Sequence, residues 1–107
     1  MAINSTHSTH QVRNVAVGRH INTSAEAAFT ITLGFKPRYV KVVNLADDIQ
    51  GEWFEGMADA AMFVRVQDGT GNEVSSNGIT VSDSGFTLGA DSSVNGDNKQ
   101  LSWIAIG

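Results

Sequence analysis

The chain contains no cysteine, which removes disulfide frameworks, thiolate nucleophiles and thiolate metal sites. It has a single proline, Pro37, and only 17% charged residues, fewer than the quarter or so of an ordinary globular domain. No apolar run approaches the roughly 20 residues that a membrane-spanning helix needs. Met1 to His10 carries no basic region followed by an apolar stretch, so nothing there reads as an export signal. These absences predict a chain that neither crosses a membrane nor binds one. The formal net charge of −4 argues against general nucleic-acid binding, whose affinity comes from neutralising phosphates. Helical periodicity is also missing. What remains is 107 residues with eleven glycines and an abundance of Val, Ser, Thr, Asn and Asp, which are poor helix formers and good strand and turn formers. That length suits one domain with a core of its own.

Met1 to Thr9 is polar apart from Ile3 and repeats Ser5-Thr6-His7 as Ser8-Thr9-His10. Too little apolar area is present to order it, so residues 1–10 are expected to be a flexible arm before a single β domain over 11–107. Short strand signals then follow one another. Val12, Val15 and Val17 make an imperfect first strand, and Ala27, Phe29, Ile31 and Leu33 alternate with polar or small residues, the period of a half-buried strand. Pro37 has no N–H for a ladder, so the strand over Arg38 to Leu45 is expected to start beside it and to lie at an edge there. Ile49 to Glu55 places Trp53 and Phe54 on opposite faces. Gly56 to Ala61 has the composition for one helical turn. Met62 to Gln67 puts Met62, Val64 and Val66 on one face, and Asp68 to Asn72 reads as a loop tip. Ile79-Thr80-Val81 and Phe86-Thr87-Leu88 flank four turn residues and predict a β-hairpin. Lys99 to Ile106, with Leu101, Trp103 and Ala105 alternating, closes the chain as an inner strand. The fold expected is all-β, an antiparallel β-sandwich or jelly-roll-like barrel of seven or eight short strands.

Catalytic and metal chemistry find little support. The three histidines, His7, His10 and His20, lie in the first fifth of the chain without nearby carboxylates until Glu26, a poor set of ligands or bases. Glu52 and Glu55 flank Trp53-Phe54 in the manner of a glycosidase pair. On a strand, residues three apart face opposite ways, so the two carboxylates would not share a substrate. Two acidic loops, Asp68 to Glu73 and Asp91 to Asn98, have oxygen ligands for calcium but not an EF-hand spacing, and Asp and Asn favour turns for backbone reasons alone. Tyr39, Trp53 or Trp103 would have to expose a ring face to bind a sugar, whereas core packing is the commoner fate of such residues. The reading is of a protein that is not an enzyme and carries no cofactor or metal.

Charge is distributed unevenly. Residues 1 to 46 hold Arg13, Arg19, Lys36, Arg38 and Lys41 against Glu26 alone, a net of about +4, while residues 47 to 107 hold Arg65 and Lys99 against ten acids, a net of about −8. The fold must bring basic and acidic strands together, either by pairing within the chain or by presenting complementary faces to a partner.

Four strings carry a family resemblance: Gly34-Phe35-Lys36-Pro37-Arg38-Tyr39-Val40-Lys41-Val42-Val43-Asn44, Glu52-Trp53-Phe54-Glu55-Gly56-Met57, Asn77-Gly78-Ile79-Thr80-Val81 through Gly85-Phe86-Thr87-Leu88-Gly89, and Trp103-Ile104-Ala105. In this order, over residues 29 to 105, the chain resembles the small virion structural proteins encoded among the head genes of tailed bacteriophages, which include capsid decoration or cement proteins. The resemblance implies a protein made in the host bacterial cytoplasm that sits on the capsid surface of the virion, often as a homotrimer, and staples neighbouring copies of the major capsid protein. On that reading Lys36, Arg38 and Lys41 would meet Asp47, Asp48, Glu52 and Glu55 across a subunit boundary, with His7 and His10 of the arm ordering against a neighbour. The alternative reading is a phage tail or fibre component, or a β-sandwich module that binds host glycans.

Overall fold

The computed structural model describes residues 14–21, 28–91, 93–95 and 99–107. The arm expected over Met1 to His10, with His7 and His10, lies outside the described residues, as do Val12, Ala27 and Asp97. Among the described residues eight strands form: β1 (Val15–Ile21), β2 (Phe29–Thr32), β3 (Tyr39–Asn44), β4 (Ile49–Phe54), β5 (Ala61–Arg65), β6 (Gly71–Ser82), β7 (Gly85–Leu88) and β8 (Gln100–Ile106). All pair antiparallel in one sheet of order β1-β8-β3-β4-β5-β6-β7-β2. The stretch from β3 to β7 is a meander. β8 returns along β3, and β1 adds outside it. β2 completes the far side against β7.

The sheet curls on itself into a half-barrel, so that Phe86 of β7 meets Trp103 of β8 edge-on with ring centroids 5.5 Å apart. At the open side His20 of β1 stacks on Phe29 of β2 with centroids 3.8 Å apart. The all-β antiparallel expectation therefore holds, realised as a single curled sheet that lacks only the ladder between β1 and β2.

Period two makes the core. Inward rows run across the ladders as Ala16, Ala105, Val40, Trp53 and as Gly18, Trp103, Val42, Gly51, Val64. Val40, Val42, Met62, Ile79, Leu88, Val94, Leu101 and Ala105 are buried, with Phe86 and Trp53 beside them. Each large side chain removed from water contributes about 1.5–3 kcal/mol against the entropy of ordering the chain. Two glycines leave space for large neighbours. A Cβ at Gly51 would lie 2.6 Å from the Met62 sulfur, and one at Gly18 2.6 Å from the Trp103 ring.

Several local expectations are corrected. The strand after Pro37 is interior rather than an edge: β3 is paired on both sides, and Pro37, itself buried, precedes the ladder so that its missing N–H costs nothing. Gly56 to Ala61 forms two tight turns instead of a helical turn, closed by Met57 N–H to the Phe54 carbonyl (3.0 Å) and Ala61 N–H to the Ala58 carbonyl (3.2 Å). Positive φ at Gly56 (103°) and Ala60 (66°) prevents helical continuation. Of the alternation from Ala27 to Leu33, the described residues form β2 over Phe29–Thr32. Residues 71–78, too polar to read as a strand, form the first part of β6. There the register jumps from Ala61↔Ile79 to Met62↔Val74, an irregularity that sets residues 75–78 between the two pairings.

Candidate functional site

The outward face of β1, β8, β3 and β4 carries Lys41 and Glu52 of the residues singled out from the sequence, and Arg38, Glu55, Asp47 and Asp48 lie at the two ends of the β3–β4 hairpin. Reading across the registers, one outward row is Val15, Ile106, Tyr39, Phe54 and the next is Val17, Ile104, Lys41, Glu52, Phe63. Val17 is 70% exposed, Val15 57% and Phe54 50%. Three exposed apolar side chains thus lie on two adjacent rows of this face.

The charges on this face are matched locally. Lys41 lies directly opposite Glu52 in the β3–β4 register. The Tyr39 hydroxyl donates a 2.6 Å hydrogen bond to Glu52 Oε2. Partial burial, then this hydrogen bond and the glutamate charge, push the Tyr39 phenol well above its ordinary value. Tyr39 also tilts against Phe54, with centroids 5.1 Å apart. Just past the strand ends, the Arg38 guanidinium reaches Glu55 Oε1 at 3.3 Å, a pair exposed enough to contribute little to stability. At the opposite end of the hairpin, Asp47 accepts from the buried Asn44 amide (3.0 Å) and lies 3.7 Å from Lys99 Nζ. Asp48 occupies the turn at a φ of 55°, exposed to solvent.

Arg38, Lys41, Glu52 and Glu55 therefore come together within one chain. This answers part of the charge split: basic β3 is followed directly by acidic β4, and hairpin pairing makes them neighbours. Lys36 lies on a cleft of about 300 Å³ that it shares with Glu55, Asp59 and Met57. Glu52 and Glu55 each hold a different partner, Tyr39 and Arg38 respectively.

Trp53 is buried and its indole N–H donates to the Ala58 carbonyl at 3.2 Å, while Trp103 packs against Phe86 and Gly18. Both indoles are core residues, leaving the Tyr39–Phe54 pair as the exposed aromatic surface on the β3–β4 face. In the acidic loops, Asp68 Oδ1 accepts the Thr70 N–H at 2.9 Å, which holds its carboxyl below the usual range. Asp91 Oδ1 accepts from Ser93 (2.9 Å) and Val94 (3.0 Å). These carboxylates stabilise their own turns. Among the described residues no three His, Cys, Asp or Glu side chains cluster as metal ligands would.

The residues missed from the sequence are Val15, Val17 and Ile21, which point outward while Ala16, Gly18 and His20 point in. An apolar residue alternating with small ones suggests the opposite assignment. The signal that reverses it is Trp103, on a strand more than eighty residues away in sequence, whose ring fills the space over Gly18. Comparison with known proteins finds no family model, no curated protein and no solved structure that matches this chain.

Proposed function

We propose that this chain is a non-enzymatic structural protein of a tailed-phage virion, one that binds the outside of the capsid and stabilises contacts between major capsid subunits. The observation that carries the reading is the outward face of β1, β8, β3 and β4: exposed Val15, Val17 and Phe54 surround a charge-matched centre of Lys41, Glu52 and Tyr39 on a fully packed scaffold. Adhesion requires such a face and a rigid support, and it requires no reacting group. The resemblance supports the same reading, because three of its four strings map to β3, β4 and β8, which lie side by side. On the capsid, Lys36, Arg38, Asp47, Asp48 and Glu55 would form the polar rim of the contact, tuning orientation and association rate.

The test is to mix purified protein with undecorated heads and score co-sedimentation. Saturable binding in fixed stoichiometry, weakened by Phe54→Lys, is the expected result. Protein left in solution while heads sediment would overturn the reading. Retention on host-cell glycans in a parallel assay would favour a tail, fibre or glycan-binding role.

A further inference from the structure

The backbone edge of β1 has a use that the capsid reading does not supply. Gly107 N–H donates to the Asn14 carbonyl at 2.8 Å, and Asn14 continues the β1–β8 register directly opposite Gly107. In an antiparallel ladder, hydrogen-bonded pairs alternate with non-bonded ones. Asn14, Ala16, Gly18 and His20 therefore exchange hydrogen bonds with β8, and the N–H and C=O groups of Val15, Val17, Arg19 and Ile21 point to the unpaired side. The same reasoning from Leu33 N–H to the Ser84 carbonyl (2.7 Å) leaves Thr30 and Thr32 of β2 facing outward from β7.

The chain's own β2 reaches only part of this edge. If the His20–Phe29 stack marks the point of closest approach, Arg19 faces Thr30 and Val17 faces Thr32. Val15 would oppose Gly34, where β2 has already ended. Gly34 N–H is committed to the Ser84 carbonyl at 3.0 Å, with φ at 83°, and the chain turns away. Among the described residues no ladder pairs the stretch from Asn14 to Val17, and its two valines are exposed. Natural edges are usually blunted by charge, proline or shortness. β2 is short and lined by threonines, but residues 14–18 of β1 contain neither a charge nor a proline.

We propose that this stretch is where a second copy of the chain adds on, β1 against β1, antiparallel about a two-fold axis at Ala16. Val15 of each copy then opposes Val17 of the other as hydrogen-bonded pairs. The two Ala16 residues meet on the axis, at a closely spaced non-bonded pair that suits small side chains. No charge falls within residues 14–18; one step further the same register sets Arg19 of each copy against position 13 of the other, also an arginine, a repulsion that salt screens. The outward valines of both copies join the flanking Ile104 and Ile106 in one aliphatic strip that continues across the axis. An isologous contact of this kind closes at two copies, unlike the homotrimer that the resemblance implies. It involves few residues, so the dimer forms at high protein concentration.

The full-length chain is followed by sedimentation equilibrium over a wide concentration range. The expected mass rises from the monomer value of 11.4 kDa to twice that value. Val17→Lys and Val15→Lys, both at exposed positions, hold the protein at monomer mass, and Thr32→Lys on the other edge leaves dimerisation unchanged. A wild-type mass that stays at the monomer value, a trimer, or a dimer that survives Val17→Lys each overturns the proposal. Amide exchange in the dilute monomer adds an independent check: slow exchange at Val15 and Val17 there means that the chain covers its own edge, which also overturns it. Capsid binding is scored separately, so loss of the dimer with head binding retained, or the reverse, separates this inference from the capsid reading.

Discussion

Replacing Gly18 by alanine tests whether the packing of one indole decides which face of β1 turns inward. The added Cβ would lie 2.6 Å from Trp103 Cζ2, 2.8 Å from Cε2 and 3.1 Å from Nε1, whereas carbon atoms in favourable contact sit about 3.5–4.0 Å apart. Relief requires the ring to retreat by about 1 Å, and its retreat is opposed by Phe86, packed edge-on at 5.5 Å. Overpacking of this kind costs about 1–3 kcal/mol. Alanine recovers about 0.5–1 kcal/mol over glycine through backbone entropy in a strand, which leaves a net destabilisation of about 1–2 kcal/mol. For a chain of this size each kcal/mol moves the Tm by about 4–8 °C, so a fall of about 5–15 °C is expected. Urea unfolding followed by far-ultraviolet circular dichroism gives the free energy directly, with the slope unchanged if both forms unfold in one step. The double variant with Trp103→Leu supplies the control: once the ring is gone, Gly18→Ala should cost less than about 0.5 kcal/mol, and the difference is the coupling between the two sites. A Gly18→Ala protein as stable as its parent, or a cost that persists without Trp103, refutes the reasoning.

Leu101, fully buried on β8, which is paired on both sides, should cost about 2–5 kcal/mol when cut to alanine, measured in the same urea assay. Tyr39→Phe should lose about 1 kcal/mol with its hydrogen bond to Glu52. Because the folded phenol ionises above its unfolded value of 10.0, the stability it contributes is complete below that pH and is lost as pH rises through the folded value. The parent should therefore weaken on the alkaline side more steeply than Tyr39→Phe, as unfolding midpoints against pH will show. Arg38→Ala removes an exposed ion pair with Glu55 and should cost under about 1 kcal/mol, fading further in high salt; a larger, salt-independent loss would show that Arg38 packs rather than pairs.

The strand inventory was largely legible because period two is a local property. Tyr39 to Asn44, Ala61 to Arg65, the β6–β7 hairpin and β8 all carry alternation or turn chemistry within a few residues, and each forms near its expected bounds. The first part of β6 was not legible. Asn72, Glu73, Ser75 and Ser76 have no apolar face; Asn72 and Glu73 are strand because β5 supplies a template on one side, and Ser75 and Ser76 fall where the register shifts. The candidate surface was legible in part. Lys41 and Glu52 could be placed on strands, but their juxtaposition follows from the β3–β4 register.

Absence of cysteine, scarcity of charge and the spacing of turns determined an all-β chain without thiol chemistry, since composition and short-range periodicity act through nearest neighbours. Which side of each strand faces the core was decided only by tertiary structure. Val15 and Val17 are as apolar as the residues that pack inside, yet Trp103, brought alongside by the β1–β8 ladder, occupies the interior at Gly18 and leaves the valines outside. Tertiary structure alone likewise closed the charge split around Arg38, Lys41, Glu52 and Glu55, and left the edge of β1 without a ladder among the described residues. Both depend on which strands become neighbours, and that is set by burying the whole core at once rather than by any local stretch.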